Sequence, residues 1–274
     1  MALNPEEFGY VQTLLRQQSA MVLEAGKGYL AEARLTSLAR REGYDSVDEL
    51  LSSLRAGRGR SLQRKVVESM TINETSFFRD IQPFEALRQA ILPELIRQRP
   101  VERRLRVWSA ASSTGQEAYS LAMLWQEHFA AVQPGWSFSV LGTDLCKSIV
   151  EQAQQGRFNQ VEINRGLPAK LLVKYFTKDG ETWRIKEEVR RQVEFRTLNL
   201  VKPWPAQPPF DIIFLRNVLI YFDVPTTKDI LANVRKVLRP DGYLFLGGAE
   251  TTMNLDDSFE RVAFDRAGAY RLRK

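Results

Sequence analysis

The chain has one cysteine, Cys146, and one histidine, His128, in 274 residues. A single thiol excludes an intramolecular disulfide, and one thiol with one imidazole leaves too few soft ligands for a zinc site. No apolar run approaches the roughly 20 residues of a membrane-spanning helix. The first twenty residues carry Glu6, Glu7 and Arg16 rather than a basic-then-apolar leader. The sequence therefore predicts a soluble, cytoplasmic protein with no membrane insertion. Phosphate-gripping loops are missing too. The stretch SAASSTGQEAYSLAM (109–123) follows a strand-like run and opens an apolar helical pattern, yet contains one glycine, Gly115. A dinucleotide site needs three spaced glycines and a nucleoside triphosphatase needs Gly-Lys-Ser/Thr. Neither pattern occurs here.

What the chain does have is a basic excess, 39 Lys plus Arg against 33 Asp plus Glu, which favours acidic partners. Arginines cluster at Arg34, Arg40 and Arg41, and again at Arg97, Arg99, Arg103, Arg104 and Arg106. The plain reading of such clusters is solvated helix faces and linkers. Aromatics are not interleaved with them as a stacking platform would need, so no nucleic-acid partner is expected.

Helical periodicity over Phe8, Val11, Leu14 and Leu15 and over Leu30, Leu35 and Leu38, with a capping-box pattern at Ser46 and Glu49, predicts a helical domain over 1–80. A linker helix over 81–103 leads into a region, 104–274, where strands and helices alternate. That alternation predicts a mostly parallel sheet with helices on its faces. The expected strands are 105–110, 138–143, 211–215 and 243–247, with 264–272 as a final edge strand. A small antiparallel unit is expected at about 160–196, turning at Lys178, Asp179 and Gly180 and including Val193 to Phe195.

Ligands of open α/β sheets bind beyond the carboxyl ends of the strands. Asp144, at one such end, suits a ribose diol, because a carboxylate accepts both hydroxyl protons. A helix N-cap is the alternative role. A nucleoside with an amino-acid tail in place of phosphates needs only a tight turn and a few polar groups, and Glu117 is placed to face its α-ammonium. These features favour an S-adenosylmethionine-dependent methyltransferase domain of Rossmann-like, class I fold.

Three segments carry a more specific signal: MTINETSFFRD (70–80), RVWSAASSTGQEAYSLAM (106–123) and FDIIFLRNVLIYFD (210–223). In this order and spacing, and with the later DGYLFLGGAE (241–250), the chain resembles the CheR family of chemotaxis receptor methyltransferases along nearly its whole length. The resemblance implies an α/β methyltransferase domain with a small antiparallel β-subdomain, preceded by an all-α N-terminal domain. It implies methyl transfer from S-adenosylmethionine to glutamate carboxylates on chemoreceptor cytoplasmic helices, leaving S-adenosylhomocysteine and a methyl ester.

By matching positions, it puts Asn73, Thr75 and Arg79 on the cofactor from the linker side, with Glu117 and Asp144 on its amino-acid and ribose portions. Asn199 and Leu200 border the adenine, and Arg216 and Asn217 the methionyl end. Arg79, whose fork can orient a carboxylate, and Tyr221, near the transferred methyl, are the catalytic candidates. Arg34, Arg40 and Arg41 are expected to meet the acidic receptor surface. The chain departs from the family in having Ser112 where a cysteine is common and Gln116 where a glutamate is. The turn at Lys178 to Gly180 is short, so no dependence on a receptor tether peptide is expected. A monomer is expected. Rival functions are methylation of RNA or of a small molecule, and a cofactor-sensing module without chemistry.

Overall fold

A computed structural model describes residues 3–57, 59–264 and 267–273, the side chain of Arg60 excepted. The chain forms two compact units, one of residues 1–72 with 221–226, the other of 73–220 with 227–274.

Among the described residues the first unit contains four α-helices, α1 (Pro5–Ser19), α2 (Gly28–Glu42), α3 (Val47–Arg55) and α4 (Arg60–Met70). Their apolar stripes close on one another through Val11, Leu14, Leu15, Leu35, Leu38, Leu50, Leu54 and Val66, all essentially buried. Asn4 and Glu7 make a reciprocal capping box at the start of α1. The expected box at Ser46 forms only in half. Ser46 accepts from Glu49 N, while the Glu49 carboxylate accepts from Asp45 N instead. Segment 221–226 belongs to this unit: Val22 N donates to the Tyr221 carbonyl, and Arg16 pairs with Asp223 at 3.1 Å.

The second unit is built on a seven-stranded sheet. Its strands are β1 (Arg104–Ala110), β2 (Ser137–Asp144), β6 (Val193–Thr197), β7 (Phe210–Leu215), β8 (Leu238–Leu246), β9 (Phe259–Phe264) and β10 (Ala267–Leu272). The order is β6-β2-β1-β7-β8-β10-β9, parallel from β6 to β8 and antiparallel beyond. Strand order reverses between β1 and β7, which sets a crevice at their carboxyl ends. A separate three-stranded sheet joins β3 (Arg157–Asn159), β5 (Thr182–Ile185) and β4 (Phe176–Asp179).

Five expectations change. The helical domain ends at residue 72, not 80, and residues 81–103 are not a free linker. Phe77, Phe84, Leu87, Ile91 and Leu95 are buried in the same core as Val107, Ile212, Phe214 and Phe245, and burying each such side chain is worth about 1.5–3 kcal/mol. Val193 to Phe195 lie in β6, paired parallel to β2, so the small sheet begins at 157 and ends at 185. The last strand is one arm of a hairpin, and β9 rather than β10 forms the edge. The strand expected at 243 starts five residues earlier, at Leu238.

Arg99, read from sequence as part of a solvated cluster, is buried. Its Nε donates to Asp211 at 2.7 Å and its two terminal nitrogens reach Asp241 at 2.8 and 2.9 Å. Asp211 in turn accepts from Arg106 N on β1. The ion network thus ties the end of helix 82–98 to β1, β7 and the turn inside β8.

Candidate active site

The loop after β1 is tightened by backbone rather than by glycines. Ala111, Ser113 and Gly115 all have positive φ (56°, 50° and 95°), a conformation that costs L-residues strain unless the surroundings hold it. The surroundings do hold it. Ser112 N donates to the Thr143 carbonyl, Ser113 N to Asp144 Oδ2 at 2.9 Å, and Gly115 N to the Ser112 carbonyl. At Gly115 a Cβ would lie 2.8 Å from the Phe195 ring, so this one position needs glycine.

Asp144 is buried, and its second oxygen accepts from Cys146 N at 3.0 Å. The carboxylate therefore locks the loop after β1 to the end of β2. It does not cap the helix Lys147–Gln155, whose N-cap is Cys146, with no side-chain capping bond.

Glu117 is held on both of its oxygens. Its carboxylate accepts from Ser109 Oγ at 2.8 Å and from Arg216 Nη1 at 3.0 Å. Arg216, 2% exposed at its side chain, also donates to the Arg79 carbonyl and to Asp80 Oδ2 at 2.7 Å. One guanidinium thus joins the loop after β7, the helix after β1 and segment 73–80, and two carboxylates around one cation leave the cluster net negative. A cationic ammonium suits that balance.

Segment 73–80 has no helix in its first half, so Asn73 and Thr75 are not helix caps. The Asn73 carbonyl accepts from Ser113 Oγ at 2.8 Å, which brings this segment over the loop after β1. Phe77 is fully buried, whereas Phe78 and Phe222 are half-buried. Thr75 and Arg79 line a cavity of about 300 Å³ together with Glu74, Ser76, Arg165 and Gly166. Arg79 is braced by donating to the Glu74 carbonyl at 3.1 Å.

Beyond β2 and β6, Asn199 turns the chain: its side chain accepts from Val201 N and its carbonyl from Lys202 N. Leu200 is buried, and its carbonyl takes the Trp204 indole N–H at 3.1 Å. Tyr221 lies in the segment that joins the helical unit, and its side chain is half-buried. In that unit Arg34 donates to the Met70 carbonyl at 2.6 Å, which ends α4, while Arg40 and Arg41 are exposed on the last turn of α2.

Sequence reading missed Glu250. Its carboxylate accepts from four backbone N–H groups, those of Asn217, Val218, Leu219 and Gly247, at 2.6–2.8 Å. Asn217 is held at φ 58° by this grip. A Cβ on Gly247 would meet Glu250 Oε2 at 2.7 Å and Asn217 N at 2.8 Å. The Gly-Gly-Ala-Glu run stands at the end of the quoted segment 241–250, but nothing in it announces which chain segment it clamps.

The residues fit S-adenosylmethionine. Ser112 Oγ and Arg216 Nε are buried and make no hydrogen bond, so the walls of the crevice carry polar atoms without protein partners, which native structures seldom leave unexplained.

Two family models cover the chain. One, "CheR methyltransferase, all-alpha domain", matches residues 6–71, and the other, "CheR methyltransferase, SAM binding domain", matches residues 73–267. Chemotaxis protein methyltransferase 1 of Pseudomonas aeruginosa is 39% identical, with 97% of each chain covered. Chemotaxis protein methyltransferase Cher2 of Pseudomonas putida is 38% identical over 93% of this chain and 94% of its own, and the Vibrio parahaemolyticus chemotaxis protein methyltransferase is 35% identical over 100% and 99%. With both models in tandem and the boundary between them at the same place as the division of the structure, the chain belongs to the CheR methyltransferase family.

Proposed function

We propose that the protein methylates glutamate side chains on the cytoplasmic helices of chemoreceptors. The observation that carries this reading is how the site's own carboxylates are used. Asp80, Glu117, Asp144 and Glu250 each accept from fixed donors, so none of these four is set as a proton acceptor. His128 closes the far end of the helix Gln116–His128, about 18 Å along its axis from the loop. A glutamate substrate needs no base, because its ordinary pKa of about 4.3 leaves it ionised near neutrality.

Bound S-adenosylmethionine supplies an electrophilic methyl group. The protein's part is then alignment, worth up to about 7–11 kcal/mol when the reacting atoms are held in line. In this reading Asp144 takes the ribose, Asn199 and Leu200 the adenine, and Glu117 with Arg216 and Asn217 the methionyl end, with Asn73 and Thr75 closing over them. Arg79 orients the incoming carboxylate, and Tyr221 borders the methyl. The protein works as a cytoplasmic monomer without a tether peptide.

The test is transfer of radiolabelled methyl from S-adenosylmethionine to a chemoreceptor cytoplasmic fragment. The expected label is released by brief alkali and disappears when the acceptor glutamates become alanine. Alkali-stable label, or label appearing only on RNA or a small molecule, refutes the reading; cofactor binding with no transfer points to a sensor.

Charge on α2 gives a second expectation. The double variant Arg40→Ala, Arg41→Ala raises KM for the receptor fragment severalfold at low salt, and the gap narrows as ionic strength rises. Affinity for S-adenosylhomocysteine stays as in the parent. Arg34 is left out because its bond to Met70 makes it part of the fold.

A further inference from the structure

We infer that Arg165 is a substrate-binding residue, a second guanidinium that takes a carboxylate of the acidic substrate helix beside the one oriented by Arg79. The inference rests on the proposed glutamate methylation. Arg165 lies between β3 and β4, far in sequence from Arg79, yet both line the same cavity of about 300 Å³. Two backbone contacts enforce this meeting. Phe77 N donates to the Arg165 carbonyl at 3.1 Å. Gly166, at φ 83°, packs so closely that a Cβ there would lie 2.1 Å from the Phe77 carbonyl oxygen. Only glycine permits such an approach, and Phe77 itself is fixed by full burial. The position of Arg165 is therefore built, not incidental to a loose loop.

The side chain itself is exposed, and among the described residues it has no ion pair. Arg216, by contrast, is committed to Asp80 and Glu117. Around the cavity the two guanidiniums outnumber the single carboxylate, Glu74, so the lining is net cationic. It suits an anionic side chain. Holding the reacting carboxylate with both arginines would stabilise it before reaction as much as during it. Arg165 is more useful on a neighbouring acid of the substrate. On a helix, residues three or four apart stand about 5–6 Å from each other, within the span of two arginines around one small cavity.

Kinetics with the full-length protein and a chemoreceptor cytoplasmic fragment test this. Arg165→Ala is expected to raise KM for the fragment about tenfold, with kcat within twofold and S-adenosylhomocysteine affinity unchanged. Arg165→Lys recovers part of the loss. Changing to glutamine the substrate acid one helical turn from the methylated glutamate should raise KM in the parent enzyme and make little further difference in Arg165→Ala. An unchanged KM in Arg165→Ala, or an equal loss of S-adenosylhomocysteine binding, overturns the assignment. Additive effects of the two changes overturn it as well. If the parent enzyme places no alkali-labile methyl on the fragment, the reading of glutamate methylation fails first, and the assignment falls with it.

Discussion

Arg99→Met is expected to destabilise the sheet unit by about 3–5 kcal/mol, the usual cost of removing one member of a buried ion pair. The arginine is 4% exposed at its side chain and Asp211 is 3% exposed. Methionine fills much of the volume but leaves Asp211 with its charge buried and only Arg106 N and the more distant Arg239 to answer it. For a unit of this size the melting temperature falls by about 6–20 °C. The pH dependence follows from Asp241. Hydrogen bonds from Arg99 hold its carboxyl below the ordinary aspartate value, against the burial that pushes it up. A lowered carboxyl pKa gives stability that is present above the unfolded value of about 3.9 and is lost as pH falls through the folded one. The difference between parent and variant should therefore be full at pH 7 and shrink on the acid side of pH 4. Calorimetric melts at both pH values check this, and a difference that does not change with pH would contradict the pairing.

Glu250→Ala should reach the site itself. Four N–H groups lose their acceptor at once. Each orphaned buried donor costs about 1–3 kcal/mol, but water enters where the side chain was, so a total of about 2–4 kcal/mol is expected. The larger consequence is for geometry. Asn217 loses the clamp that keeps it left-handed, and Arg216 loses its fixed start from β7. S-adenosylhomocysteine binding, measured by titration calorimetry, should weaken tenfold or more. Glu250→Gln falls between, since one oxygen still serves Val218 and Leu219 while its amide nitrogen confronts Asn217 and Gly247. A control that loses equal stability elsewhere, Trp125→Phe in the core, should bind the ligand as the parent does. Equal weakening in the control would mean that Glu250 merely supports the fold.

How much of this could be read from the chain depends on the range of the interaction involved. The β1 strand, its loop and the helix from Gln116 were legible because apolar period and small residues are local signals. Asp144 at a strand end was legible for the same reason. The fate of Arg99 was not, because a buried guanidinium and a solvated one look alike in sequence; its partners lie 112 and 142 residues away. Glu250 was hidden in the same way, its four donors lying in two separate loops. Val193 to Phe195 had the composition of a strand, but composition does not say which sheet will take it. Arg216 binds Glu117 directly, a pairing that arises because β1 and β7, a hundred residues apart, lie side by side in the sheet.

The membership of residues 221–226 in the helical unit bears on how this architecture can be exchanged between proteins. The helical unit is not a cassette that ends at residue 72, since six residues of it are encoded a hundred and fifty positions later, four residues after Asn217. Grafting a foreign helical unit onto the sheet would leave the Tyr221 carbonyl and Asp223 facing residues that did not arise with them, in place of Val22 and Arg16. A chimera that keeps its helical unit intact therefore has to carry both pieces together, and Arg16 and Asp223 should be inherited as a pair.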